Sequence, residues 1–268
     1  MMDENNAEKK DNRADIKISG SGSAGGGLYN EVKISGSGAI NGDLECNEMK
    51  TSGSSKVNGN IKANIISTSG SSNIAGSVEA QTIKTSGSCK ISGDVTVGEL
   101  RSSGSTKVNG KVDASSFHVS GSANVGGKLH SNEVGISGSI QIGGDCESDS
   151  FRASGSFNIG GLLSSDNIDI SVHGECKVKE IGGEIINVKK GRGDLFGLQR
   201  LIKSLFSFEG RLETETIEGD EISLELTKAK MVRGNNVTIG ELCDIDTVEY
   251  SGILNVLPGA KVREQKKI

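Results

Sequence analysis

Tryptophan is absent from this chain, and aromatic residues make up only 3% of its 268 positions. A globular core of that size leans on large side chains, so the core here must be thin and built from small ones. No stretch approaches the roughly 20 apolar residues of a membrane-spanning helix. The opening, Met1 to Asp15, is charged and lacks an apolar segment, so no secretory signal is expected. The five cysteines are an odd number without a Cys-x-x-Cys pair, which argues against a disulfide frame or a metal cluster. A net charge of −5 is too mild to point to nucleic acid. There is no G-x-S-x-G, Walker or dinucleotide-binding context, and the Gly-rich strings lack the following helix of a phosphate cradle. The expectation is a cytoplasmic protein, free or membrane-associated, with reduced thiols, no cofactor, no metal and no catalytic residue.

What is abundant is glycine, 39 residues of it, and it keeps time. Gly36, Gly53, Gly70, Gly87, Gly104, Gly121, Gly138 and Gly155 are each 17 residues from the next, and each sits in a Ser-Gly-Ser triplet. A second glycine follows six residues on, from Gly42 and Gly59 to Gly161. A period this short cannot be a domain. Each repeat is one coil of a solenoid, stable only when stacked on its neighbours.

Counting one coil from Thr51 as positions 1 to 17, position 7 holds Val57, Ile74 and Ile91, position 11 Ile61, Val78 and Val95, and position 16 Ile66, Ile83 and Leu100. These three aliphatic columns are the expected core. Around them apolar or small residues alternate with polar ones, the period of a strand. The alternation breaks near position 14, and the glycines at positions 3 and 9 mark two more corners, read as places needing backbone conformations closed to other residues. Three short strands and three corners per coil make an all-β fold, a triangular parallel β-helix with about 17 residues per coil.

Residues 1–15 read as a disordered charged tail, 16–188 as β-helix, 211–262 as further coils, and 263–268 as a basic tail. Between the two β-helix stretches, 189–210 interrupts with a different chemistry. Leu198, Leu201, Ile202, Leu205 and Phe206 fall on one helical face, so the segment is expected to be a short amphipathic helix. With Leu195, Phe196 and Phe208 these residues are the candidate contact with a membrane or a protein partner. The alternative is a lateral or terminal cap over an exposed coil edge. Arg192-Gly193-Asp194 spells an adhesion tripeptide and is read as coincidence.

Other constellations are weighed against plain structural roles. The serines at positions 2 and 4 either hydrogen-bond local backbone at a tight corner or form a hydroxyl array for ice or glycan. Cys46, Cys89 and Cys146 occupy core positions as small hydrophobes. His118, His130 and His173 fall at different positions of the repeat. Asp43, Asp94 and Asp145 share position 10 but lie three coils apart, about 14 Å, too far for a two-carboxylate mechanism.

The short coils SSKVNGNIKA and CKISGDVTVGEL resemble those of bactofilins, bacterial polymer-forming cytoskeletal proteins. The stretch IEGDEISLELTKAKMVRGNNVTIGELCDIDTVEYSG is similar to the C-terminal part of longer, Gram-positive bactofilin-like proteins. The resemblance covers most of 16–262. It implies a right-handed β-helix, nucleotide-free assembly through the helix ends, and scaffolding at the cell envelope. The chain departs from the family pattern in its single proline, its greater number of coils and its inserted segment. No residue is matched to the family's aromatic end residue. The leading expectation is a non-enzymatic scaffold whose partner is another copy of itself, with a membrane surface or envelope-associated protein as the further candidate, and not nucleic acid. The alternatives are a solenoid interaction module docking through 195–208 and an exported adhesin-like solenoid.

Overall fold

The computed structural model describes residues 13–191 and 210–268, and all of its paired strands run parallel. Backbone pairing carries one inward column through the whole stack: Ile18, Ile34, Thr51, Thr68, Thr85, Ser102, Val119, Ile136, Ala153, Ile170, Val188, Leu224, Ile239 and Val256. The protein is therefore a β-solenoid of about 14 turns. At about 4.8 Å per rung it forms a rod about 65 Å long. The described residues contain no helix.

The rung from Thr51 shows the cross-section. Its strands are Ser54–Val57 and Ile61–Thr68, with bends at Ser52-Gly53 and Asn58-Gly59. The longer strand turns a third corner where Asn64 and Ile65 are exposed in succession. Three faces follow: a first at positions 4–7, a second at 11–13, and a third running from 16 into position 1 of the next coil. Thr51, Ser55, Val57, Ile61, Ala63 and Ile66 all point inward and are buried.

The core thus has six columns, two per face, where the aliphatic pattern marked three. Positions 1 and 5 escaped the pattern because polar residues fill them early in the rod. Thr51, Thr68, Thr85 and Ser102 are buried at position 1, beside Ser55, Ser72 and Thr106 at position 5. Several of their hydroxyls satisfy one another: Thr51 Oγ1 donates to Ser55 Oγ at 3.2 Å, and Ser55 Oγ donates to Ser72 Oγ at 2.9 Å, whereas Thr85 Oγ1 has no partner. Ser102 and Thr106 pair at 2.9 Å. Further along, the same columns turn apolar, as Val119, Ile136, Ile140 and Phe157. Phe157 meets Phe151 edge to face, with ring centroids 5.5 Å apart.

The corner glycines serve a different purpose from the one expected. Among the described glycines only Gly27, Gly42 and Gly259 have a positive φ, so most of the repeat glycines are not relieving a left-handed backbone. They are required because coils stack closely at the corner. A Cβ on Gly53, Gly70 or Gly87 would collide with the carbonyl oxygen of the glycine one coil below. Close approach lets the ladder turn without losing bonds: Ser54 N–H donates to Gly36 O at 2.8 Å, and Ser71 N–H to Gly53 O at 2.8 Å.

Two expected boundaries shift. Lys189 and Lys190 complete the strand Cys176–Lys190, so the solenoid continues into the segment assigned to the insertion. Residues 263–267, read as a tail, lie in the strand Lys261–Lys267, where Lys261 and Val262 extend the columns of Asp244 and Ile245. Alternating charge obscures that strand, but its backbone still finds a ladder. The rest of the segment expected to form an amphipathic helix, 192–209 of 189–210, lies outside the described residues.

Candidate interaction surfaces

The rungs set the outward side chains in straight files, so the surface is best described column by column. At position 10 the files explain the recurring acids. Asp43 Oδ1 accepts the Asn60 N–H at 2.7 Å, Asn60 Oδ1 accepts the Ser77 N–H at 2.9 Å, and Ser77 Oγ accepts the Asp94 N–H at 3.1 Å. Asp94 and Asp145 do the same for Lys111 and Leu162, at 3.0 and 3.1 Å. Each side chain caps the corner N–H of the next coil. A hydrogen bond from the Lys128 ammonium, and then the Leu162 N–H, hold the Asp145 carboxyl below its usual range.

The serines at positions 2 and 4 do not bond local backbone. Among the described residues none of these hydroxyls has a protein partner, so they stand in open files along the first corner. Cys46, Cys89, Cys146, Cys176 and Cys243 are all buried and unpaired. Burial pushes the thiols up, to about 11 for Cys46, Cys89 and Cys176 and to about 12 for Cys146. The histidines are scattered: His130 Nδ1 lies 3.4 Å from Asp113, His118 Nδ1 3.0 Å from Ser116 Oγ, and His173 Nδ1 3.0 Å from its neighbour Ser171 O. Nothing in this arrangement brings two of them together.

Beyond Cys176 the glycine-serine corner gives way to ladders of alternating sign. Lys177, Glu213, Lys228, Asp244 and Lys261 stack in order at position 6. At position 12 Arg233 lies between Glu218 and Glu249, at 3.6 and 2.9 Å, and Lys266 reaches Glu249 at 3.2 Å. Stacking like charges in these files would be repulsive, so the alternation helps fix rung order.

The outermost described rungs leave apolar columns half covered. At one end Ile16, Ile18, Ala24 and Tyr29 pack against the core from one side only. At the other, Leu254, Ala260 and Val262 are half-buried and Val256 is 39% exposed. The strands Ile16–Ile18 and Lys261–Lys267 each pair on one edge within the described residues.

The sequence-derived contact residues Leu195, Phe196, Leu198, Leu201, Ile202, Leu205, Phe206 and Phe208, and Arg192-Gly193-Asp194, lie outside the described residues. Their flanks are informative. Lys190 pairs with Val172, the Gly191 N–H donates to Val172 O at 3.1 Å, and Gly191 stands against the His173 ring. Gly210 stands over the backbone of Gly174, and Leu212 pairs with Cys176. His173 and Gly174 are consecutive, so the chain departs from the serine-glycine corner and rejoins it one rung position later. No sequence signal marked that corner as the exit point, since the repeat has already lost its glycine phase there. No helix among the described residues is long and apolar enough to cross a membrane.

Two curated proteins of Bacillus subtilis (strain 168) resemble part of this chain. It is 42% identical to "Uncharacterized protein YhbE" over 95 residues, which is 35% of this chain and 38% of that protein. It is 36% identical to "Uncharacterized protein YhbF" over 96 residues, 36% of this chain and 37% of that protein. The matched region thus spans less than two-fifths of either relative. No family model and no solved structure matches the chain.

Proposed function

We propose that the protein is a bactofilin-like scaffold, without enzymatic activity, that self-associates end to end through its outermost coils. The observation that supports this reading is the pair of half-covered apolar rung ends. Ile16 and Ile18 lie on the third face at one end, and Leu254 and Val256 hold the corresponding columns at the other. A second copy stacked on Leu254 and Val256 would extend the ladder of the third face. Its strand edges would gain hydrogen-bond partners, and apolar columns would leave water.

Negative-stain microscopy of the full chain tests the reading. Rods joined into filaments of variable length are expected without added nucleotide. Ile18→Lys and Val256→Lys, each at an end rung, should shorten them to single rods while the β-sheet spectrum is retained. Single rods for the native chain across protein concentration and salt would overturn it. A docking module acting through 195–208 is the second reading, favoured by the place of its described flanks, Gly191 and Gly210, at a corner. Vesicle or partner recruitment that is lost on deleting 192–209, with rods still single, would select it.

A further inference from the structure

In eight successive coils the ten residues from position 17 to position 9 of the following coil, 33–42 through 152–161, contain no Asp or Glu. Together these windows hold eight of the chain's 30 Lys and Arg and none of its 35 Asp and Glu, so they carry a formal charge of +8 in a chain of net −5. Burial does not explain the gap, since no residue at positions 17, 2, 4, 6 or 8 of these coils is buried. The rungs stack the windows into one acid-free edge, the serine corner with its two flanks, about 34 Å long over seven rung spacings. On the first face Lys56, Lys90 and Lys107 share a file, and on the other flank Lys33 and Lys84 share another. All five are exposed and, among the described residues, in no ion pair, although Lys84 has Glu99 within electrostatic range. The other three cations, Lys50, Arg101 and Arg152, are paired with Glu48, Glu99 and Glu133, which stand at position 15, on the side of the third face away from this corner. Beyond the opposite flank, Asp43, Asp94 and Asp145 each turn a carboxylate oxygen to a backbone N–H of the next coil. Between the two lysine files run the serine hydroxyls of positions 2 and 4, without protein partners among the described residues. None of the exposed large apolar side chains of the described residues falls in the windows.

We propose that the rod lies lengthwise on an anionic phospholipid surface along this serine edge, with the unpaired lysines over the lipid phosphates and the serine hydroxyls donating to phosphate oxygens. Charge complementarity supplies the attraction. Each basic side chain held within about a Debye length of such a surface strengthens partition on the order of fivefold. The occupant is a bilayer and not a soluble polyanion because the edge is convex. Its flanks recede from the corner at every rung, so a plane meets all the rungs at once, whereas a flexible chain would find no walls to hold it. With no large apolar side chain to insert, the contact is peripheral and yields to salt, unlike docking through the apolar segment 195–208. A single rod makes the contact by itself, and a filament multiplies it.

The test is co-sedimentation of the full chain with vesicles of phosphatidylglycerol and phosphatidylcholine in equal parts, and with vesicles of phosphatidylcholine alone. The native chain should bind the first at about 20 mM salt, leave them at about 500 mM, and ignore the second. K56Q/K90Q/K107Q should weaken binding on the order of a hundredfold and K33Q/K84Q about twentyfold. K62Q/K179Q/K230Q, an equal loss of charge outside the edge, should change it by less than about twofold. Deleting 192–209 should leave binding as it is. The β-sheet spectrum identifies a variant that fails to fold, and either edge variant then decides in place of the other. Equal binding to both kinds of vesicle, binding that survives about 500 mM salt, loss on deleting 192–209, or equal weakening by the variant outside the edge would each overturn the contact. A native chain that ignores the anionic vesicles also overturns it, and long-chain polyphosphate bound through the same lysines would then assign the edge to a soluble polymer. Single rods that bind as expected support the contact while the end-to-end reading fails separately.

Discussion

The carbonyl oxygen of Gly36 occupies the place where a Cβ on Gly53 would stand, and the same relation repeats between Gly87 and Gly104. The obstacle is backbone of the coil below, which cannot rotate aside as a side chain could. Gly104→Ala should therefore force a local separation of coils and cost about 3 kcal/mol, at the upper end of overpacking effects. Gly25, whose Cβ would meet open space, is the control: Gly25→Ala should change stability by at most about 0.5 kcal/mol. Urea unfolding of both variants checks the contrast. Equal effects would mean that the glycines are kept for chain flexibility and not for close stacking.

Inside the first corner, Ser55 receives a hydrogen bond from Thr51 and gives one to Ser72. Ser55→Ala would leave two buried hydroxyls short of partners and should cost about 1–3 kcal/mol. Thr85 occupies the column of Thr51 two rungs further along the stack, but its Oγ1 makes no ordinary hydrogen bond and has the weakly donating Cys89 thiol beside it. Thr85→Val should accordingly be neutral or stabilising. Thermal melts of the two variants separate a file that depends on its hydroxyls from one that merely tolerates them.

The buried thiols make stability depend on alkaline pH. Burial raises Cys46, Cys89, Cys146 and Cys176 from 9.0 to about 11 or about 12, so between those values the unfolded chain has lost protons that the folded chain retains. The stabilising contribution is whole below pH 9.0 and is lost as pH rises through the folded values. Denaturation midpoints should fall above about pH 9, and replacing the five cysteines with alanine should flatten that decline. At neutral pH a thiol reagent should modify the native protein slowly and the unfolded protein at once. Fast labelling of the native form would contradict the burial.

Gly191 and Gly210 stand against the consecutive residues His173 and Gly174, so the described rung is continuous from one side of 192–209 to the other. Deleting them and joining Gly191 to Gly210 should leave the β-sheet circular dichroism intact and shift Tm by a few degrees at most. Loss of the folded spectrum would show that the segment is part of the solenoid's support.

Most of the fold was legible because it is periodic. Gly53, Val57, Ile61 and Ile66 recur with a beat that leaves few architectures open, and Val256, Ala260 and Val262 continued it past the point where glycine fades. Half of the inward columns were not legible. Thr51, Ser55 and Ala63 look like surface residues in a sequence, and only a stack that supplies hydroxyl partners or a narrow interior buries them. The strand Lys261–Lys267 was hidden for a related reason, since its ladder partners carry the compensating charges 17 residues earlier. Position 10 was legible as a column, whereas its role as a backbone cap depends on which N–H groups the corner leaves free.

Electron cryomicroscopy of the native assembly tests end-to-end stacking most directly. The expected result is a filament with a layer line near 4.8 Å that runs unbroken across junctions between copies, and a longer repeat of about 65 Å. Isolated rods about 65 Å long, with no continuation of the ladder from one copy to the next, would contradict it.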